Sequence, residues 1–422
     1  MISKNTHLSS LFSHYKDDLC KEEGITISEL EQGLNSGSMV LLGNINHKNV
    51  NPLLIGQPAK IKINANIGTS PLICSSKEEM EKLKMVEKAG ADTYMDLSTG
   101  GNLDEIRKTM ISSSHLPIGT VPIYAAAKKL SEKNIEIENM DMEEVFDEIE
   151  RQAEQGVDFM TIHTGIDMAS VEYAEKHRVM GVVSRGGSMI ARWMKVNKKE
   201  NPFLVEFDRI VKIAKKYNVT LSLGDGMRPG ALADSSDYAQ MQEVLNLGQQ
   251  VLKSRQEGVQ VMVEGPGHVP LNQVKSQIES IKLLTHNAPL YVLGPLVIDN
   301  GAGYDHISAA IGASVAVMSG VDYLCYVTPA EHLSLPNEED VYNGIIASRI
   351  AAAAGETALN RKLSVDIQNN MSKARSMLDW KMMEHYAIDS DMVKKRRESH
   401  KDKEECAMCG EFCSIKLKNK DM

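Results

Sequence analysis

The stretch VTLSLGDGMRPG (residues 219–230) indicates the fold most clearly, because it joins a run of strand length to a turn rich in glycine and charge. It follows directly on FDRIVKIAKKYN (residues 207–218), in which apolar residues recur at helical spacing and an asparagine ends the pattern. A charged helix, a short strand and a polar turn in this order form one unit of a βα repeat.

The same unit recurs along most of the chain. The nine strand-like runs are IKINANIG (61–68), ADTYMDLST (91–99), PIGTVPIY (117–124), VDFMTIHTG (157–165), MGVVSRGG (180–187), VTLSLGDGMRPG (219–230), VQVMVEGPGHV (259–269), APLYVLGPL (288–296) and VDYLCYVTPAEH (321–332). Runs that are mostly apolar indicate strands buried on both faces, and hence a parallel sheet. We predict an α/β fold, a TIM-type (β/α)8 barrel in which one of the nine runs is an extra or edge element. A doubly wound open sheet is the alternative.

Functional side chains end nearly every run. They are Asn66, Met95, Tyr124, His163, Ser184, Arg185, Asp225, Arg228, Glu264, His268, Tyr291 and His332. In a barrel, all the strands open with their carboxyl ends at one mouth, whereas an open sheet would gather such residues at one switch point. This distribution favours the barrel, and it favours an enzyme over a scaffold.

The chain divides into four predicted parts. Residues 1–60 form a small N-terminal α+β segment and residues 61–340 the catalytic barrel. Residues 341–400 form a helical extension and linker, and residues 401–422 a cysteine-bearing tail. The charged stretch 389–405 is predicted to be a solvated linker.

The totals exclude several classes of protein. A net charge of −10 over 422 residues argues against binding to nucleic acid or to a membrane surface. No apolar run is long enough to span a bilayer, and the first twenty residues lack the apolar region of a signal peptide. Six cysteines in this length do not make a disulfide framework, so we expect a cytoplasmic location with reduced thiols.

Three of the six cysteines lie in the tail, as Cys406, Cys409 and Cys413. At this spacing, with Gly410 allowing the loop to turn back, three thiolates can converge on one centre. A four-iron cluster held by three cysteines would leave one iron open to a further ligand. A zinc site with a fourth ligand from elsewhere, a redox pair and unligated thiols are the alternatives.

Two glycine-rich turns and two histidines are candidate binding groups at the mouth. SRGG (184–187) and DGMRPG (225–230) each place an arginine beside small residues, an arrangement that can cradle a phosphate. His268 and His332 end two strands and could form a two-imidazole metal site, although a structural role is as plausible. The turn GAGYDH (301–306) could support the site, and TGGN (99–102) is predicted to cap a helix.

Taken together, these segments resemble the ThiC family of radical SAM enzymes. The resemblance covers about residues 60–413. It rests on NANIGTS, MDLSTGGN, GTVPIY, SRGG, LSLGDGMRPG, VQVMVEGPGHVP, LGP, GYDH, CYVTPAEHL and the terminal CxxCGxxC. It implies a (β/α)8 barrel, a [4Fe-4S] cluster on a C-terminal segment, and a homodimer in which that segment serves the neighbouring barrel. It also implies that S-adenosylmethionine, reduced through an external reductant, gives a 5′-deoxyadenosyl radical that abstracts hydrogen from 5-aminoimidazole ribotide.

The resemblance assigns roles to residues by position. Those matching substrate contacts are Asn66, Met95, Tyr124, His163, Ser184, Arg185, Gly186, Asp225, Gly226, Met227, Arg228, Glu264 and Tyr291. His268 and His332 match ligands of a second metal, zinc or iron. Cys406, Cys409 and Cys413 match the cluster ligands.

The family has two branches, which make different products from the same ribotide. One makes the phosphomethylpyrimidine of thiamine, and an anaerobic branch makes 5-hydroxybenzimidazole, the lower base of a cobamide. This chain departs from the thiamine pattern at residues 299–304, in the helix 350–359, at Thr164 and in the leader. On these departures we expect the benzimidazole branch, with phosphomethylpyrimidine synthase as the alternative. A chain that needs a paralogous partner, and a zinc or redox-sensing barrel without catalysis, are the other hypotheses.

Overall fold

The computed structural model describes residues 1–420, and the chain forms two compact units, Met1–Ala352 and Ala353–Met422. The strands are β1 (Val40–Leu42), β2 (Leu53–Ile55), β3 (Lys62–Ile67), β4 (Thr93–Asp96), β5 (Ile118–Thr120), β6 (Phe159–Ile162), β7 (Thr220–Leu223), β8 (Val261–Gly265), β9 (Leu290–Leu293) and β10 (Tyr323–Cys325). The helices are α1 (Thr6–Glu23), α2 (Ile27–Ser36), α3 (Ser76–Ala89), α4 (Leu103–Ser113), α5 (Ile123–Glu132), α6 (Met142–Gln155), α7 (Met168–His177), α8 (Arg185–Asn197), α9 (Pro202–Val205), α10 (Phe207–Tyr217), α11 (Tyr238–Glu257), α12 (Leu271–Leu284), α13 (Asp305–Met318), α14 (Glu338–Ala358), α15 (Lys362–Ser376), α16 (Trp380–Tyr386), α17 (Ser390–Arg397) and α18 (Ser414–Lys420).

The first unit is a closed parallel barrel, as predicted. Its strands follow one another around the ring in chain order from β3 to β10, and β10 pairs with β3 to close it. Helices lie between successive strands. The alternative of an open sheet is therefore wrong, and the carboxyl ends of all eight strands meet at one mouth.

The repeating helices begin and end where the sequence signals them. Ser75 caps α3 by accepting a hydrogen bond from the backbone N–H of Glu78. Gly90 ends the helix in the left-handed region, at φ 81°. The cap predicted at residues 99–102 is confirmed, because Asn102 accepts the amide of Glu105 at the start of α4.

Three aspartates join neighbouring strands at the amino-terminal end of the barrel. Asp92, Asp158 and Asp322 each stand just before a strand, and each accepts at 2.8 Å a backbone N–H near the start of the strand that precedes it around the ring. Their contacts place the stabilising polar network at the end of the barrel opposite the mouth.

The run MGVVSRGG (180–187) is the extra one among the nine strand-like runs, and it does not form a strand. The eight other runs close the ring, and residues 179–183 form an irregular segment in which the Val179 side chain is 76% exposed. Ser184 caps α8, which begins at Arg185. The polar end of this run therefore belongs to a helix N-terminus at the mouth.

The ends of the chain carry helices. In the N-terminal segment, β1 and β2 pair antiparallel, and α1 and α2 pack on them through a core that includes Leu8 and Leu30. In the second unit, the stretch predicted as a linker contains α17, which Asp389 caps by accepting the amide of Met392. Four basic residues in the last turn of α17 favour the helix through its dipole. Within residues 1–420, no helix combines the length and apolarity that crossing a bilayer requires.

Candidate active site

A cavity of about 780 Å³ opens at the carboxyl ends of the barrel strands. Eleven residues predicted from strand ends or from the resemblance line it: Asn66, Met95, Tyr124, His163, Ser184, Arg185, Asp225, Arg228, Glu264, Tyr291 and His332. Gly186, Gly226 and Met227 are buried beside these residues in the same turns. The cavity has the size of a small-molecule site.

A carboxylate and arginine pair lies on the turn after β7. Asp225 Oδ1 is 2.9 Å from Arg228 Nη1, and both side chains line the cavity. Burial raises the pKa of Asp225 to about 8, with Arg228 opposing the rise and Glu264 adding to it. Asp225 is therefore expected to carry a proton at neutral pH, leaving Arg228 able to attract an anion.

Glu264, at the end of β8, is fixed by hydroxyl groups from two neighbouring strands. Thr161 and Ser222 donate to its Oε1 at 2.5 and 2.8 Å. Burial raises the pKa of Glu264, and these hydrogen bonds oppose the rise. A carboxyl group held in this way on rigid strands can orient a polar ligand.

His163 faces the helix that begins at Arg185. Its Nε2 lies 2.8 Å from Ser184 Oγ, and its Nδ1 is buried without a hydrogen-bond partner among residues 1–420. Burial, followed by the positive charge of Arg228, lowers the pKa of His163 to about 3. The ring is neutral at physiological pH, and Gly186 packs against it so closely that a Cβ there would lie 2.3 Å from the imidazole.

The two glycine-rich turns that were predicted to bind a phosphate lie against each other. A Cβ on Gly187 would be 2.8 Å from the Cα of Gly226. Arg185 reaches over the Tyr124 ring, with its guanidinium carbon 5.1 Å from the ring centroid. The N-terminus of α8 and two arginines thus converge on one side of the cavity, which suits an anionic group.

The opposite wall is a network of neutral polar groups. Asn64 donates to Asn66 Oδ1 and to the Tyr291 hydroxyl, both at 2.7 Å. The Tyr291 hydroxyl lies 3.7 Å from the Met95 sulfur, and the Asn66 amide lies 3.1 Å from the Cys325 sulfur. This wall offers hydrogen bonds without net charge.

His268 and His332 come together at the rim, with ring centroids 5.4 Å apart. His268 Nδ1 is held by Asp299 Oδ1 at 2.8 Å, which directs its other nitrogen elsewhere. His332 Nδ1 lies 3.5 Å from the buried Asp305 carboxylate. The pair fits a metal that takes two imidazoles and completes its shell from water or substrate. Within residues 1–420, however, no three His, Cys, Asp or Glu side chains are gathered tightly enough to hold an ion.

Several cavity residues escaped the sequence analysis. Lys82, Thr161, Cys325 and Glu331 all line the cavity. Cys325 and Glu331 stand inside the last predicted run, where only His332 was singled out, so attention to the whole strand end would have found them. Lys82 lies in α3, and only the folded structure brings it to the cavity. The spacing of residues along the sequence does not reveal this placement.

The tail cysteines lie in a series of turns that leads into α18. Gly410 is left-handed at φ 50°, as a loop that turns back requires. The amides of Cys409 and Met408 point at the Cys406 sulfur and lower its pKa, which favours the thiolate that a metal binds. Cys406 and Cys409 adjoin, while Cys413 is buried before α18 and is not gathered with them. The donor set of three thiolates fits an iron–sulfur cluster.

Comparison with known proteins distinguishes an iron–sulfur enzyme from a zinc or redox-sensing barrel without catalysis. The family model described as "Radical SAM ThiC family" matches residues 9–420 of this chain. The chain belongs to this family. A radical SAM enzyme uses S-adenosylmethionine and an iron–sulfur cluster, so the hypothesis of a barrel without catalysis is set aside.

Similar proteins span nearly the whole chain. The phosphomethylpyrimidine synthase of Carboxydothermus hydrogenoformans is 48% identical over 401 residues, 94% of either chain. The enzyme of the same name from Methanocaldococcus jannaschii is 48% identical over 400 residues, 94% of either chain. That from Thermoanaerobacter pseudethanolicus is 47% identical over 413 residues, 97% of this chain and 96% of the other.

The expectation of a benzimidazole product finds no support in these comparisons, since the relatives named above are phosphomethylpyrimidine synthases. Among the departures on which that expectation depends, those at residues 299–304 are the ones predicted to lie beside the reaction chamber. Asp299 holds His268 by its Nδ1, but residues 300–303 are not among the described residues that line the cavity. These departures therefore say little about the product.

Proposed function

We propose that this protein is a phosphomethylpyrimidine synthase, which converts 5-aminoimidazole ribotide into the pyrimidine phosphate of thiamine biosynthesis. The observation that carries the proposal is the 46 to 48% identity, over almost the full length, to enzymes of that name. The chemistry of the cavity supports it, because one side suits a phosphate and the other a neutral polar ring.

The phosphate of the ribotide is assigned to the side formed by the two glycine-rich turns. Arg185 and Arg228 offer guanidinium donors, and the N-terminus of α8 adds backbone amides and the positive end of the helix dipole. The proton on Asp225 limits competition for Arg228, because a neutral carboxyl group attracts a guanidinium less than a carboxylate does.

The aminoimidazole is assigned to Glu264 and to the neutral wall that carries Asn66 and Tyr291. Glu264 can accept from the exocyclic amine, and the amide and hydroxyl groups can bond the ring nitrogens. Glu264 and Tyr291 lie opposite each other on the paired strands β8 and β9, and β10 joins β9 to β3, which carries Asn66. The spacing of these groups is therefore fixed before the ligand arrives.

Cys406, Cys409 and Cys413 would hold the cluster, and His268 and His332 a zinc or iron ion. When bound, the cluster supplies the electron that cleaves S-adenosylmethionine to the 5′-deoxyadenosyl radical. The barrel residues then keep the ribotide oriented and exclude water from the site. We further propose that the protein is a homodimer in which the tail of one chain serves the barrel of the other. An external reductant would supply electrons to the cluster.

Product analysis tests the proposal. The reconstituted protein is incubated anaerobically with 5-aminoimidazole ribotide, S-adenosylmethionine and a reductant, and products are identified by mass spectrometry. We expect the pyrimidine phosphate and 5′-deoxyadenosine. Recovery of 5-hydroxybenzimidazole instead, or a need for a paralogous chain, would overturn the proposal.

The variant Cys413→Ala checks the cluster assignment in the same assay. It should abolish formation of 5′-deoxyadenosine while leaving binding of the ribotide unchanged, because the residues assigned to the ribotide are all on the barrel. Cys20→Ala is the matched control, since Cys20 lies in α1, outside the tail. Undiminished 5′-deoxyadenosine from Cys413→Ala would refute the assignment.

A further inference from the structure

The turn Asp225–Arg228 is held from behind by two buried ionisable side chains that do not line the cavity. Glu243, on α11, accepts the backbone N–H of Met227 through Oε2 at 2.8 Å. Arg178, just after α7, donates from Nη2 to the carbonyl of Met227 at 2.7 Å. Glu243 therefore binds the backbone N–H of Met227, and Arg178 binds the carbonyl of the same residue.

Both residues are connected to α11, because Glu243 lies in that helix and Arg178 binds its N-cap residue, Asp237. Asp237 caps α11 and takes Arg178 in a bidentate pair, with Nε and Nη2 at 2.7 and 2.8 Å from its carboxylate oxygens. Arg178 also donates to the carbonyl of Gly181 at 3.3 Å. The turn is thus fixed to α11 at two points.

Space behind the turn is closed. A Cβ on Gly226 would lie 2.2 Å from Ile166 Cδ1 and 3.3 Å from Glu243 Oε1. The backbone N–H groups of Met227 and Gly226 both interact with the buried Glu243 carboxyl group. The turn therefore has little room to shift relative to α11.

We infer that Glu243 and Arg178 are positioning residues for ligand binding, which hold the Asp225–Arg228 turn in the geometry that the ribotide requires. The inference rests on the proposed function for the identity of the ligand. Neither residue touches the cavity, so each acts through Met227. Loosening the turn would let Arg228 and Asp225 sample other positions and would weaken binding before any chemistry occurs.

Burial raises the pKa of Glu243, which favours its neutral acid form. Glutamine is therefore the matched replacement, because it is neutral, has nearly the same shape and can still accept from Met227. Alanine removes the acceptor and leaves a buried N–H unpaired.

The test measures binding of 5-aminoimidazole ribotide, without S-adenosylmethionine, by calorimetry on the full-length protein. Glu243→Ala should weaken binding by about 10- to 100-fold, the effect expected for a lost buried hydrogen bond, and Glu243→Gln should stay within about threefold. Leu245→Ala is the control on the same helix, since Leu245 is 47% exposed, and it should bind as the wild type does.

Hydrogen exchange of the peptide covering residues 224–230 gives an independent readout. Protection there should fall in Glu243→Ala and be kept in Glu243→Gln. Unchanged affinity and unchanged protection in Glu243→Ala would overturn the inference. If that variant does not fold, Arg178→Lys takes its place, and wild-type affinity with wild-type protection would overturn the inference in the same way. A wild-type protein that does not bind the ribotide would refute the proposed function, while the exchange data would still decide whether Glu243 holds the turn.

Discussion

The affinity for an anionic ribotide is expected to fall as the pH rises from 7 to 9, because ionised Asp225 competes with the phosphate for Arg228. The two side chains are 2.9 Å apart, and the pKa of Asp225 is raised to about 8 by burial. Below that pKa Asp225 is neutral and Arg228 is available to the ligand. Above it the carboxylate pairs with Arg228 and repels the phosphate.

The magnitude follows from the fraction of protonated Asp225. If the ribotide binds only when Asp225 is protonated, the apparent Kd is the intrinsic Kd multiplied by the factor 1 + 10^(pH − pKa). With a pKa of about 8, this factor is about 1.1 at pH 7 and about 11 at pH 9, so binding weakens about tenfold, or about 1.4 kcal/mol. The phosphate and the arginines do not add to this slope, because the phosphate is a dianion above its second pKa of about 6 and arginine stays charged. Cys325, whose pKa burial raises to about 12, does not ionise in this range.

Isothermal calorimetry with the ribotide alone, at pH 7, 8 and 9 and constant ionic strength, measures this dependence. The control is Asp225→Asn, which keeps the shape and removes the ionisable group, and its Kd should vary little with pH. A wild-type Kd that stays constant within about twofold, or an equal slope in Asp225→Asn, would refute the reasoning.

Three further outcomes are expected. Replacing Asp92 by asparagine, which can still accept the N–H of Ile63, should raise the free energy of unfolding at pH 7.5 by at most about 3 kcal/mol. Burial raises the pKa of Asp92 from 3.8 to about 6, so stability is lost as the pH rises from about 4 through 6, and urea denaturation at pH 4 and 7.5 should show the gain only at the higher pH. Gly186→Ala should weaken ribotide binding at least tenfold, since the new Cβ would lie 2.3 Å from the His163 ring and must displace it; equal binding by calorimetry would contradict this placement. Mixing Cys413→Ala with Arg228→Ala chains should restore up to about a quarter of wild-type turnover if tails serve partner barrels, whereas tails that serve their own barrel would give none.

Strand positions could be predicted because the barrel imposes the same pattern eight times. Every unit supplies a buried run, a polar strand end and a helix, and each repeat supports the interpretation of the others. MGVVSRGG (180–187) misled because its first residues are apolar and its last resemble a strand end. Only the closure of the ring by the other eight strands shows that this run is a loop and a helix start.

The site was predictable where a residue's own neighbours in sequence place it at the mouth, as with Asp225 or Glu264. It was not predictable where a residue acts from another element. Glu243 lies in the middle of an ordinary helix, and its sequence neighbours give no sign that it binds the amide of Met227. The product is harder still, because departures at residues 300–303 looked important along the chain yet do not line the cavity. Distance from the reacting atoms, not distance in sequence, decides which substitutions can change the chemistry, and only the fold supplies that distance.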